Sequence, residues 1–111
     1  MVHFGWCDPK LKENDYLEKL AELLKKSKVK GLDLEQQEIG DAGLEVLAEG
    51  LKLNKTLVTL NLTGNGLGPK SIPVLEGVIA LNKTLKSVIL DENEKLSDFH
   101  HEAIAKALAG R

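Results

Sequence analysis

Residues 53–67 read Leu53-Asn54-Lys55-Thr56-Leu57-Val58-Thr59-Leu60-Asn61-Leu62-Thr63-Gly64-Asn65-Gly66-Leu67, and the first five return unchanged at Leu81-Asn82-Lys83-Thr84-Leu85. The interval is 28 residues, within the range of periods that mark stacked repeats. Sliding the whole chain by 28 extends the match in both directions. Val29, Leu32, Leu34, Gln37 and Ile39 fall on Leu57, Leu60, Leu62, Asn65 and Leu67. Leu44, Leu47 and Leu51 fall on Ile72, Leu75 and Ile79. A third copy begins at Leu85, with Val88, Leu90 and Asn93 in register. One residue is then inserted around Glu94-Lys95, and Leu96, Ile104 and Leu108 follow 29 after Leu67, Leu75 and Ile79.

Each copy has two halves with different periods. Leu57 to Leu62 ends in strict apolar alternation, the mark of a strand with one buried face. Ile72 to Ile79 has apolar spacings of three and four, which put those residues on one side of a helix. Between the halves lie Gly40 and Gly43 in one copy, and Gly64, Gly66 and Gly68 in the next, where the chain must reverse. One strand and one helix cannot bury their own apolar faces, so neighbouring copies must stack into a continuous core. The expected fold is an α/β solenoid, with a short curved parallel sheet inside and helices on the convex side. Residues 29–56, 57–84 and 85–111 are the three expected repeats. Residues 1–28 are expected to form a tail and a capping helix over residues 9–28, with Asn14 or Asp15 as its cap and Tyr16, Leu20, Leu23 and Leu24 as its apolar face. Asp98 is the expected cap of the last helix, which carries Phe99, Ala103, Ile104 and Leu108.

The pattern L-x-x-L-x-L-x-x-N-x-L, followed by a helical L-x-x-L-x-x-x-L and the Asn-Lys-Thr-Leu turn, resembles leucine-rich repeats of the ribonuclease-inhibitor type, as found in NOD-like receptors and tropomodulins. The resemblance covers about residues 29–111. It implies protein–protein binding through the concave sheet and names no partner; the tropomodulin likeness permits a narrower reading, a regulatory piece that binds actin or a GTPase. Gln37 departs from it by standing at the first asparagine position, as does the inserted residue in the third copy.

Composition narrows the function classes. The chain has 111 residues, with 15 Lys and Arg against 17 Asp and Glu, for a net charge of -2. That lacks the basic excess of a general nucleic-acid binder. It has 21 leucines and only four aromatic residues, so its core must be aliphatic. Cys7 is the sole cysteine, which excludes an internal disulfide and a four-cysteine zinc site. No apolar run approaches the roughly 18 residues that span a bilayer, and Met1 to Trp6 does not read as a secretory signal. A cytoplasmic location is the expectation.

Several motifs invite an enzymatic reading. Gly64-Asn65-Gly66-Leu67-Gly68-Pro69-Lys70-Ser71 comes close to the phosphate loop GxxxxGK[ST], and Val88-Ile89-Leu90-Asp91-Glu92 resembles a strand ending in a magnesium-binding acid. Pro69 removes a backbone N–H that a phosphate would need, and both segments are already explained by the repeat. His100 and His101 are adjacent, so on a helix they diverge by about 100°. His101 falls at the position of Leu44 and Ile72, a packing position. Grouping them with Asp98, Glu102, His3 and Cys7 gives no zinc-site spacing, and Cys7 has no evident base. No cofactor, metal or catalytic residue is expected.

Side chains alternate across a strand, so inward leucines imply outward neighbours. These are Gly31, Asp33 and Glu35, then Thr59, Asn61 and Thr63, then Ser87, Ile89 and Asp91. The predicted binding residues are Asp33, Glu35, Thr59, Asn61, Thr63, Ser87, Ile89 and Asp91, and their acidity calls for a protein partner with a basic surface. Three strands about 4.8 Å apart span only about 10 Å, whereas a standard interface buries about 800 Å² per partner. The partner must therefore also grip the loops, or the chain is a piece of a longer array, or a weak homodimer forms through exposed strand edges. Phe4 and Trp6 could add an aromatic anchor or plug the first repeat.

Overall fold

The computed structural model describes the backbone of residues 2–3 and 13–109 and the side chains of residues 17–109. Strands and helices alternate in the order β1 (Val2–His3), α1 (Glu13–Lys26), β2 (Gly31–Asp33), α2 (Gly40–Leu53), β3 (Thr59–Asn61), α3 (Ser71–Leu81), β4 (Ser87–Ile89) and α4 (Asp98–Leu108). The strands form one parallel sheet in chain order. Gly31 pairs with Thr59 and Thr59 with Ser87; Leu32 pairs with Leu60 and Leu60 with Val88. The pairing offset is the 28 residues of the sequence repeat. The ladder runs past the strand ends, where Leu34 and Gln36 N–H donate to Asn61 and Thr63 carbonyls, each at 2.9 Å.

The inward-facing positions build the core. Leu32, Leu34, Leu57, Leu60, Leu62 and Leu67 are fully buried from the strand side, and Leu44, Leu47, Leu51 and Leu75 from the helix side. Each buried leucine contributes about 1.5–3 kcal/mol of burial free energy, and stacking is what removes both faces from water. Val88 is only half-buried, because β4 has no strand on its outer side among the described residues.

Five differences separate the structure from the sequence reading. The sheet has a fourth strand, since Val2 pairs with Leu32 and His3 with Asp33; two residues are too few to show alternation. The described α1 begins at Glu13, so Asn14 and Asp15 lie within it rather than ahead of it. Its buried face is Leu17, Leu20, Ala21 and Leu24, whereas Leu23 is 59% exposed. The spacing 17-20-21-24 follows one helical face and residue 23 falls off it. Gly43 belongs to α2, not to a turn. Tyr16, Phe4, Trp6 and Cys7 offer no side-chain test, lying outside the residues whose side chains are described.

Gly43 and Gly50 share the α2 face that meets α1. A Cβ at Gly50 would stand 2.2 Å from the Ala21 carbonyl oxygen, so the missing side chain is what lets the two helices close on each other.

The last difference is at α4. Its cap is Ser97, one residue ahead of Asp98. The Ser97 N–H donates to His100 Nδ1 at 3.0 Å, and Ser97 Oγ lies 3.0 Å from the same nitrogen. His100 thus takes the position that Glu or Gln holds in a capping box.

Candidate functional site

The outward strand positions form columns across the sheet. Asp33, Asn61 and Ile89 stand in register, as do Gly31, Thr59 and Ser87. Beyond the strand ends, Gln36 N–H bonds the Thr63 carbonyl and Gly64 N–H the Asp91 carbonyl, which carries Glu35, Thr63 and Asp91 into the next column. All eight residues singled out from the sequence therefore share one sheet face.

They do not present themselves equally. Asn61 is buried, with its amide donating to Glu35 Oε1 at 2.7 Å and its Oδ1 accepting from the Thr63 hydroxyl at 2.6 Å and the Thr63 N–H at 3.1 Å. Asp33 Oδ1 accepts from the Glu35 N–H at 3.1 Å. Asn61 therefore orients Glu35 and Thr63. Asp91 is exposed, and Asp33, Glu35, Thr59, Thr63, Ser87 and Ile89 are half-buried.

The phosphate-loop look-alike is already engaged. The Gly68 N–H donates to Asp41 Oδ1 at 2.8 Å, and the Ser71 hydroxyl donates to the same oxygen. A carboxylate of the chain's own thus takes the donors a phosphate would use. Burial by itself would raise the Asp41 carboxyl. The Ser71 and Gly68 hydrogen bonds, with the positive charges of Lys95 and Lys70, outweigh it and hold the group below the usual carboxylate range. Glu92 is also occupied, accepting from Gln36 Nε2 at 3.2 Å. Among the described residues no three His, Cys, Asp or Glu are placed to hold a metal ion, and no helix is long and apolar enough to cross a membrane.

Two asparagine ladders lock the turns. Asn65 Oδ1 accepts from Gln37 N–H at 2.9 Å, Asn93 Oδ1 accepts from Asn65 N–H at 2.9 Å, and both asparagines are buried. Among the described residues the Gln37 side chain bonds the Glu35 carbonyl at 2.7 Å. The second ladder explains the repeated pentapeptide. Asn54 and Asn82 each donate to a carbonyl of the preceding turn (Leu24 and Leu51, both 2.8 Å), while Thr56 and Thr84 hydroxyls reach Val29 and Leu57 carbonyls, both 2.7 Å. The sequence marks these residues as a turn; their exact repetition is the signal that they do more.

Charge is sorted between the two edges of the sheet. Because every strand points the same way, all helix-to-strand loops meet at one edge and all strand-to-helix loops at the other. The first edge holds Lys25, Lys26, Lys28 and Lys30, then Lys52 and Lys55, then Lys83 and Lys86, and no Asp or Glu occurs in residues 23–32, 50–59 or 77–90. The second carries Asp33, Glu35, Glu38 and Asp41, then Asp91, Glu92, Glu94 and Asp98, against Lys70 and Lys95. A net charge near zero conceals this division.

The sheet, the 28-residue stacking and the asparagine ladders together define a leucine-rich repeat fold. A leucine-rich repeat family model matches residues 53–72. No curated protein matches the sequence. Among solved structures, the actin-binding site 2 of leiomodin-1 superposes with a TM-score of 0.73 at 24% identity. The match covers 95% of this chain and 62% of the leiomodin chain. The chain thus spans less than two thirds of that neighbour, and the likeness is one of fold.

Proposed function

We propose that this chain is a non-enzymatic protein-binding module whose sheet face, opposite the helices, takes a basic surface of another protein. The observation that carries the reading is the pair of columns Asp33–Asn61–Ile89 and Glu35–Thr63–Asp91. There, acidic groups flank the apolar Ile89, and Asn61 holds Glu35 and Thr63 in place. Fixing polar groups before encounter lowers the ordering cost of binding. The four strands span about 14 Å at 4.8 Å spacing, so a partner must also reach the strand-to-helix loops, which are acidic too. Leucine-rich repeats of the ribonuclease-inhibitor type, which this sequence resembles, bind proteins in this way, and a cytoplasmic setting fits the reading.

The leiomodin-1 neighbour is an actin-binding site by its title, which makes actin the first partner to test. Co-sedimentation with actin filaments, and isothermal titration with any partner so found, measure the affinity of the full chain. The combined Asp33→Asn, Glu35→Gln and Asp91→Asn variant keeps side-chain size and acceptor oxygens while removing three charges. It is expected to weaken binding by tenfold or more with the melting temperature little changed. Affinity equal to that of the unaltered chain would remove this face from consideration. Ile89→Asp probes the apolar centre in the same assay.

A further inference from the structure

Two exposed apolar features lie on opposite charged edges. Leu53 and Leu81 are equivalent residues of successive repeats, 57% and 62% exposed. They line a groove of about 480 Å³ rimmed by Lys52, Lys55 and Lys83. On the other edge Phe99 is 74% exposed at the start of α4, directly after Asp98 and a few residues beyond the acidic loop of residues 91–94, with its ring edge-on to His100. Neither feature is a face waiting for another repeat. The residues at the Phe99 position in earlier turns, Ala42 and Lys70, are also exposed, and so is Lys25, the counterpart of Leu53 and Leu81.

We infer that the lysine-rimmed Leu53–Leu81 groove receives the acid-flanked Phe99 of a second copy of this chain, joining molecules head to tail. The occupant is set by complementarity on both counts. The groove is apolar within and basic around, and Phe99 is an aromatic side chain with acidic neighbours. Such a contact uses two different patches, so it repeats along a line instead of closing into a two-fold dimer. It is distinct from strand pairing at β4, which neither Phe99 nor the lysines would influence. Because the charges lie at the surface, association falls as salt shortens the Debye length from about 10 Å at 0.1 M. The inference does not rest on the concave-face reading.

Sedimentation velocity over a concentration series tests it with two variants of the full chain. One carries Leu53→Glu and Leu81→Glu and keeps Phe99; the other carries Phe99→Ser and keeps the groove. These side chains are exposed, so matching melting temperatures confirm that both variants fold. The unaltered chain is expected to gain average mass with concentration at low salt and to lose that gain in 0.5 M salt. Each variant alone should stay monomeric, and their equimolar mixture should form a 1:1 dimer and nothing larger. The inference is overturned if the unaltered chain stays monomeric into the millimolar range, if either variant still associates alone, or if the mixture fails to pair.

Discussion

Gly64 shows how one residue can be required by its neighbours in the stack. Gln36, Gly64 and Glu92 occupy the same position of successive repeats and all have positive φ, at 55°, 65° and 59°. A second circumstance favours glycine at the middle one. The Gln36 side chain crosses above it to reach Glu92, and a Cβ there would lie 2.2 Å from Gln36 Nε2. Left-handed backbone costs about 1–2 kcal/mol in any residue with a Cβ, and the blocked path adds to it. Gly64→Ala is therefore expected to lose more in urea denaturation than that strain alone, and Gln36→Gly in the same chain should restore the excess. Equal losses in both backgrounds would mean that the crossing side chain is irrelevant. Asp41 gives a residue-scale prediction with a pH signature. Folding lowers its pKa, so the unfolded chain holds the proton more tightly than the native one. The stability it contributes is complete above the ordinary carboxylate range and disappears as pH falls through the depressed native value. Asp41→Asn, which removes the charge that two donors address, should cost about 2 kcal/mol at pH 7 and flatten the acid limb of the stability profile. Denaturation midpoints at neutral and acidic pH measure both effects.

At the scale of elements, the turns hold the repeats in register as firmly as the leucines fill them. Asn82 satisfies the Leu51 carbonyl and the N–H groups of Thr84 and Leu85 at 2.8–3.0 Å, in a place closed to water. Asn82→Ala leaves these groups without that partner, at about 1–3 kcal/mol each for those that stay buried. A loss of about 3 kcal/mol is expected by chemical denaturation. Asn82→Asp keeps the accepting oxygen but sets a second, charged oxygen against the Leu51 carbonyl in a buried site, so it should lose at least as much as the alanine variant; an alanine variant as stable as the parent would show that the turn re-solvates. Periodicity reveals elements whose side chains repeat every two residues or every three and four, which is why β2, β3, β4 and the helices are legible in the sequence. It is blind to β1, where two residues make no pattern. It also misplaces caps, since Ser97 is paired with His100 where a capping box is marked by Glu or Gln. Gly43 and Gly50 are equally opaque, because a helix glycine gains its meaning only from the Ala21 and Leu17 atoms pressed against it. The outward columns proposed as the binding face are readable because alternation dictates which way a strand side chain points. That Asn61 is buried beneath Glu35 was not, because the bond joins residues from neighbouring strands.

On the scale of the whole molecule, composition gives the wrong impression of charge. Two charges of net difference suggest an electrically plain surface, while the topology gathers eight lysines at one edge and eight acids with two lysines at the other. The same topology makes stability local. In a solenoid each repeat touches only its neighbours, so stability is close to a sum of repeat and interface contributions. Leu60 is fully buried in β3 with strands on both sides, whereas Ile104, 2% exposed on α4, belongs to the turn whose outer side has no neighbour among the described residues. Either change to alanine costs about 2–5 kcal/mol, yet the consequences should spread differently. Ile104→Ala is expected to release amide protection in α4 and β4 while α2 and β2 retain theirs, because opening the last turn leaves the α2–α3 and β2–β3 contacts intact. Leu60→Ala weakens the interfaces on both sides of the middle turn and should lower protection throughout. Native-state hydrogen exchange resolves the two patterns. Uniform loss in both variants would show that three turns and their lead-in act as one cooperative unit, and the nearest-neighbour description would then fail for an array this short.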